Sequence, residues 1–232
     1  TLAAAHYLWY SYGLVAQPIR FVTLSGELTA TRGTDGWIEL DFPANEALPV
    51  EPDPAVLDAL GITDRVIGAA RGSTFDLIEV ADAATVRELQ PCPNKLVRLD
   101  TPGFIVTALG DGLFDVVSRV FAPQLGIPED PVTGSAHCLL GPYWAPRLGK
   151  SDLLAKQASR RGGTVRVGVR GDRVLLGGQA VQVFDAELAD IARPVRPKVP
   201  RRKTLTVTRL PVTGDRRRVT GSPVPTSRCR AR

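Results

Sequence analysis

The sequence predicts an α+β protein in which several strands curl around a central helix, and three observations predict it. Short segments of alternating apolar and polar residues recur through the first 184 residues, separated by Gly, Pro, Asn and Asp. A long apolar segment, Ala136 to Leu148, follows the acidic run Glu129-Asp130-Pro131-Val132-Thr133-Gly134-Ser135. A fainter copy of that helix, Thr1-Leu2-Ala3-Ala4-Ala5-His6-Tyr7-Leu8, opens the chain, so each half is expected to own a central helix.

The elements follow in order. Thr1 to Leu14 is apolar nearly all round, the pattern of a helix buried at a domain centre. Strands are expected over Arg20–Leu24, Glu27–Arg32 and Trp37–Phe42, with a turn at Gly33–Gly36. The segment from Pro43 to Pro54 holds four prolines and several acids and reads as a linker. Beyond it, Pro54–Leu60 and Asp82–Leu89 read as helices. Arg65–Ala70, Thr74–Val80, Leu96–Leu99, Phe104–Leu109 and Phe114–Phe121 read as strands. The motif helix spans Ser135 to Leu148, with Gly149 as its stop and Pro142 as an internal bend. Leu153–Ser159, Thr164–Arg170 and Arg173–Phe184 close the unit, the last two joined at Gly171-Asp172. The resulting division is 1–47, 48–188 and a Pro/Arg-rich tail, 189–232, with no periodicity able to bury a face.

Charge is divided by position. The tail carries 13 Lys/Arg against 2 Asp/Glu, a net of +11, which leaves residues 1–188 with 16 basic and 22 acidic side chains, a net of −6. A nucleic-acid role would therefore have to act through the tail, and the acidic body makes it the weaker reading. Cys92, Cys138 and Cys229 form no CxxC pair, which fits three unpaired thiols in a reducing, cytoplasmic setting. With two histidines and no ligand spacing, no metal site is expected. The sequence has no run of 18 apolar residues, so no membrane helix is expected either.

The acidic motif carries the chemistry. Pro131 stiffens the approach to the helix, Gly134 lets a ligand come close to the backbone, and Thr133 or Ser135 can cap the first turn. Free N–H groups at that turn, reinforced by the helix dipole, suit a carboxylate or phosphate. Asp130 stands where it could exchange a proton with whatever docks there. Candidate substrate-binding residues are thus Thr133, Gly134 and Ser135, and the candidate catalytic residue is Asp130. Thr133 and Ser135 could equally be plain caps on a core helix. His137 could bond a substrate or tether a loop, Cys138 reads as a small core residue, and Arg119 as the partner of an acid or a support of the motif loop, with direct substrate contact the lesser reading. Trp9, Trp37 and Trp144 read as core or interface aromatics.

Several blocks carry a resemblance. Thr1 to His6, Trp37 to Ala44, Ser118-Arg119, Phe121-Ala122-Pro123, Gly126-Ile127, Glu129 to Trp144, Gln157 to Gly163 and Gly177 to Ala180 are similar to the PhzF family. These are phenazine biosynthesis-like isomerases related to diaminopimelate epimerase, and the blocks span about residues 1–188 in the family's order. The resemblance implies a diaminopimelate epimerase-like fold of two similar domains, each a barrel-like sheet around a central helix. It implies that both helix N-termini face a cleft, that the active unit is a homodimer, and that no cofactor is used. Where diaminopimelate epimerase has a thiol, this sequence has Asp130. The family's Gly-His-Ala-Thr motif meets this sequence at Thr1, with its Gly and His and an upstream acid/base Glu falling before it, so impaired activity is expected.

The expected function is proton transfer on a small carboxylate metabolite, in a biosynthetic process, by acid/base catalysis. An inactive fragment or ligand-binding remnant is the other reading.

Overall fold

The computed structural model describes residues 1–24 and 26–186, so the tail expected over 189–232 lies outside the described residues. Thr1–Gln182 form one compact unit. Local chemistry explains its helices. In α2 (Pro54–Leu60) the Asp53 carboxylate accepts the Ala55 N–H at 2.8 Å, Pro54 occupies the first turn and Gly61 closes the helix at φ +75°. In α3 (Ala83–Glu88) Asp82 accepts the Thr85 N–H at 2.7 Å. The motif helix α5 (Gly134–Leu148) ends on Gly149 at φ +62°.

Among the described residues twelve strands form one sheet. Five come before residue 72: β1 (Ile19–Thr23), β2 (Gly26–Arg32), β3 (Ile38–Pro43), β4 (Leu48–Val50) and β5 (Val66–Arg71). They are followed by β6 (Phe75–Val80), β7 (Gly103–Leu109), β8 (Val116–Ala122) and β9 (Ile127–Asp130). The last three are β10 (Asp152–Gln157), β11 (Gly163–Arg170) and β12 (Arg173–Gly178). The order is β1-β2-β3-β12-β11-β10-β8-β7-β6-β5-β4, with β9 beside β8. Neighbours are antiparallel except β6 with β7 and β8 with β10. Because β12 pairs with β3, Leu176 opposite Leu40, the sheet runs unbroken past residue 47.

Alternation along the strands sorts side chains into separate cores. Val116 and Val120 of β8 and Leu153 and Ala155 of β10 pack with Leu139, Leu140, Tyr143 and Trp144 of α5. Val117 and Phe121 point the other way, into a cluster with Leu60, Val86 and Leu96. The third cluster joins Ala5 and Trp9 of α1 (Leu2–Tyr10) to Ile19, Ala30, Ile38 and Leu40.

Several expectations are corrected. Helix α1 buries only Ala5 and Trp9, while Tyr7 and Tyr10 are exposed, so it is not wrapped on all sides. The strand expected at Leu96–Leu99 is replaced by a helical turn, α4 (Pro93–Leu96), which Pro93 starts and the Cys92 carbonyl accepts from. Leu96 and Leu99, three apart, then face the same cluster. The expected linker holds β4, which tolerates Pro49 because it is the outermost strand. The acidic loop contains β9, and β12 stops at Gly178 rather than Phe184. Cys138 is a free buried thiol, but Cys92 is disulfide-bonded, so the three thiols are not all unpaired.

Candidate functional site

Strand β9 delivers the acidic motif. It pairs with β8 at Val120–Asp130 and Ala122–Ile127, with a bulge between them. Arg119, on the far face of β8, grips Glu129 through Nε at 2.7 Å and Nη2 at 3.0 Å. Its remaining Nη1 donates to the Leu89 carbonyl at 2.9 Å, at the end of α3. Both side chains are largely buried, so this fork fixes the base of the motif far more firmly than a surface pair would.

Beyond Glu129 the loop is held by β10. Gln157, fully buried, accepts the Thr133 N–H at 2.8 Å and donates to the Asp130 carbonyl at 2.7 Å. Ser159 Oγ donates to the Pro131 carbonyl at 2.7 Å and accepts the Gly162 N–H at 3.0 Å. A β-carbon at Gly163 would collide with Val132, so only glycine lets the β10–β11 turn lie this close. Sequence reasoning gave Gln157 and Ser159 no role. Their place in the Gln157–Gly163 block was the available sign.

Of the four expected site residues, Asp130 and Thr133 are joined directly. Thr133 Oγ1 donates to Asp130 Oδ2 at 2.6 Å. Thr133 is the N-cap of α5 by position but makes no side-chain cap, a correction to the capping expectation, because its hydroxyl is turned to Asp130. Its own N–H is spent on Gln157. Gly134 and Ser135 follow, both exposed, and their first-turn N–H groups have no acceptor within the helix. Asp130 is half-buried and Thr133 buried.

Further into α5 the side chains are structural. His137 is fully buried; its Nδ1 lies 2.7 Å from the Thr133 carbonyl, and Nε2 has no partner among the described residues. Burial drives its pKa below the ordinary imidazole value, against a smaller upward pull from that carbonyl. Burial pushes the Cys138 thiol up to about 12. Pro142 cannot donate to the Cys138 carbonyl, and the Asn45 N–H takes that place at 3.0 Å. Trp144 Nε1 donates to Thr107, and Tyr143 to Glu79 at 2.6 Å.

The two helix starts approach one strand. A β-carbon at Gly134 would stand 3.7 Å from Leu176, and one at Gly178 would stand 3.0 Å from Leu2. Residues 176 and 178 share a face of β12, so the first turns of α1 and α5 both border its end. The His6 ring lies 4.7 Å from the Tyr10 ring and is tilted 39° to it. Beside the motif lies a cavity of about 350 Å³ lined by Glu129, Pro131, Ser159, Arg160 and Arg161. Among the described residues no group of three His, Cys, Asp or Glu is placed to hold a metal ion. None of their helices is long and apolar enough to cross a membrane.

A mixed sheet wrapped on an apolar helix, with an acidic strand feeding that helix's first turn, defines an α+β protein of the epimerase-like class. The model of the phenazine biosynthesis-like PhzC-PhzF family matches residues 1–186, and the chain belongs to that family. It is 46% identical over 192 residues to an uncharacterized isomerase of Halalkalibacterium halodurans, spanning 81% of this chain and 71% of the relative. The crystal structure of a PhzF family protein from Enterococcus faecalis superimposes with TM-score 0.71 at 38% identity, covering 77% of this chain and 67% of that one. A predicted epimerase of Pseudomonas aeruginosa, 22% identical with TM-score 0.54 over 77% of this chain and 69% of that one, shares the fold alone.

Proposed function

We propose that the chain is an isomerase or epimerase that moves a proton on a small carboxylate by acid/base catalysis without a cofactor. One observation carries this reading: a half-buried carboxylate, Asp130, is held by Thr133 beside the exposed first turn of α5. The membership and the isomerase name of the relative from H. halodurans support it.

Removing a proton next to a carboxylate builds negative charge on that group's oxygens, and oriented N–H donors lower the cost. The Gly134 and Ser135 amides supply such donors. Asp130 Oδ2 is occupied by the Thr133 hydroxyl, while Oδ1 makes no hydrogen bond among the described residues and is left for the substrate's proton. Thr133 is thus assigned to positioning Asp130, since its two donors are used on Gln157 and Asp130. The buried, protonated thiol of Cys138 is unsuited to a two-thiol mechanism. The same reading has the chain working as a homodimer in the cytoplasm, in a biosynthetic route. The test is solvent deuterium uptake by small carboxylic acids with the full chain and with Asp130→Asn. Equal uptake in both removes Asp130 from the mechanism.

A second reading, ligand binding without turnover, is favoured by the apolar exposure of the first half, including Tyr7, Tyr10, Val22 and Leu24. Limited proteolysis separates the two: rapid loss of residues 1–45 around a stable remainder supports binding without turnover, and a protected first half opposes it.

A further inference from the structure

The turn between β10 and β11 carries Arg160 and Arg161, both exposed and both on the wall of the 350 Å³ cavity. Neither makes a hydrogen bond or ion pair among the described residues. Among the described residues Glu129 is the one acid on that wall, and the two-point grip of Arg119 on the opposite side already neutralises it. The cavity therefore carries two adjacent positive charges that no acid among the described residues compensates.

These arginines do not ride on a loose loop. Gln157 before them and Ser159 beside them are bonded to Asp130, Pro131 and Thr133, the Ala158 N–H donates to the Ser118 carbonyl at 2.7 Å, and Gly163 abuts Val132. The backbone that carries both guanidinium groups is thus latched to the loop that carries the proposed proton carrier. A guanidinium offers planar paired donors that match a carboxylate, and two of them facing an open cavity favour an anion strongly over a neutral group.

We propose that Arg160 and Arg161 form a subsite for a second carboxylate, so that the substrate is a dicarboxylic acid anchored at one end on the α5 amides. This rests on the reading of Asp130 and α5 given above, and adds the class of substrate.

The test measures binding of pentanoate and of the dicarboxylates succinate, glutarate and adipate to the full chain, by calorimetry and by shifts of the Gly134 and Ser135 amide resonances. At least one dicarboxylate is expected to bind tenfold or more tightly than pentanoate while shifting both amides. Arg160→Gln/Arg161→Gln is expected to erase that advantage and to leave pentanoate unchanged. Absence of the advantage in the wild type, or its survival in the variant, overturns the subsite while pentanoate binding at the amides still supports the underlying reading. Arginine-dependent glutarate binding that leaves the amides unmoved overturns the shared substrate. Failure of every acid to move the amides removes both. If the Gln pair does not fold, Arg160→Lys/Arg161→Lys serves: a threefold or greater cut in the advantage supports the subsite, and an unchanged advantage overturns it.

Discussion

Helices α1 and α5 are made of similar residues, small side chains with a few aromatics, yet they meet different surroundings. Nine of the fifteen residues of α5 are buried, against two of nine in α1. The difference lies in the strands. Side chains of β6, β7, β8, β10, β11 and β12 enclose α5, while α1 shares its cluster with β1, β2 and β3. An apolar pattern thus fixes that a segment is helical, but how much of it is buried depends on how many strands are curled around it.

If the α5 end is the chemical one, Asp130→Asn should have the largest effect. A loss of about 100-fold or more in deuterium exchange is expected for a positioned acid/base group, with little change in melting temperature. Substitution on the α1 side, such as His6→Gln, should leave exchange within about twofold of wild type if His6 only packs beside Tyr10. A comparable loss in both would place the chemistry across the two helices.

Packing should follow the same contrast. A β-carbon at Gly141 would approach Val167 to 2.9 Å, so Gly141→Val should cost about 2–3 kcal/mol in urea unfolding through overpacking. Gln157→Leu should cost about 1–3 kcal/mol, because the buried Thr133 N–H loses its acceptor, and it should also loosen the motif. On the exposed face of α1, Tyr7→Ser should change stability by less than about 0.5 kcal/mol.

A smaller, pH-dependent effect comes from α5. His137 is held neutral in the folded chain, with its pKa below the ordinary 6.5. The unfolded chain therefore binds the proton more readily, so stability is full above about pH 6.5 and declines as the pH falls below it. The raised thiol of Cys138 works in the other direction: stability is full below its ordinary value of 9.0 and declines as the pH rises from there toward about 12. Melting temperature measured from pH 4 to pH 10 should fall at both ends. His137→Gln should flatten the acid limb.

Legibility in the sequence follows the range of the interactions. Helix α2 could be read because its signals are adjacent in the chain: Asp53 before it, Pro54 at its start and Gly61 after it. The α5 motif could be read for the same reason: the helix starts at Gly134, and Asp130 is tied to its N-cap residue Thr133. What escaped reading depends on partners far away. Strands β4 and β9 are three and four residues long and exist through pairing with β5 and β8. The role of Gln157 depends on a backbone N–H 24 residues earlier. Arg119 could be assigned an acid partner, but not its contact with the end of α3.

The hydrogen bond from Asn45 to the Cys138 carbonyl has a consequence for dissecting the protein. Asn45 also accepts the Ser73 N–H through its side chain, and its neighbours Ala44 and Ala47 pack on the α5 cluster. A proline-made gap in one helix has become the mooring point for a stretch of chain nearly a hundred residues upstream. An excised piece starting at residue 48 would leave that oxygen to solvent, whereas one starting before Phe42 would carry its own plug.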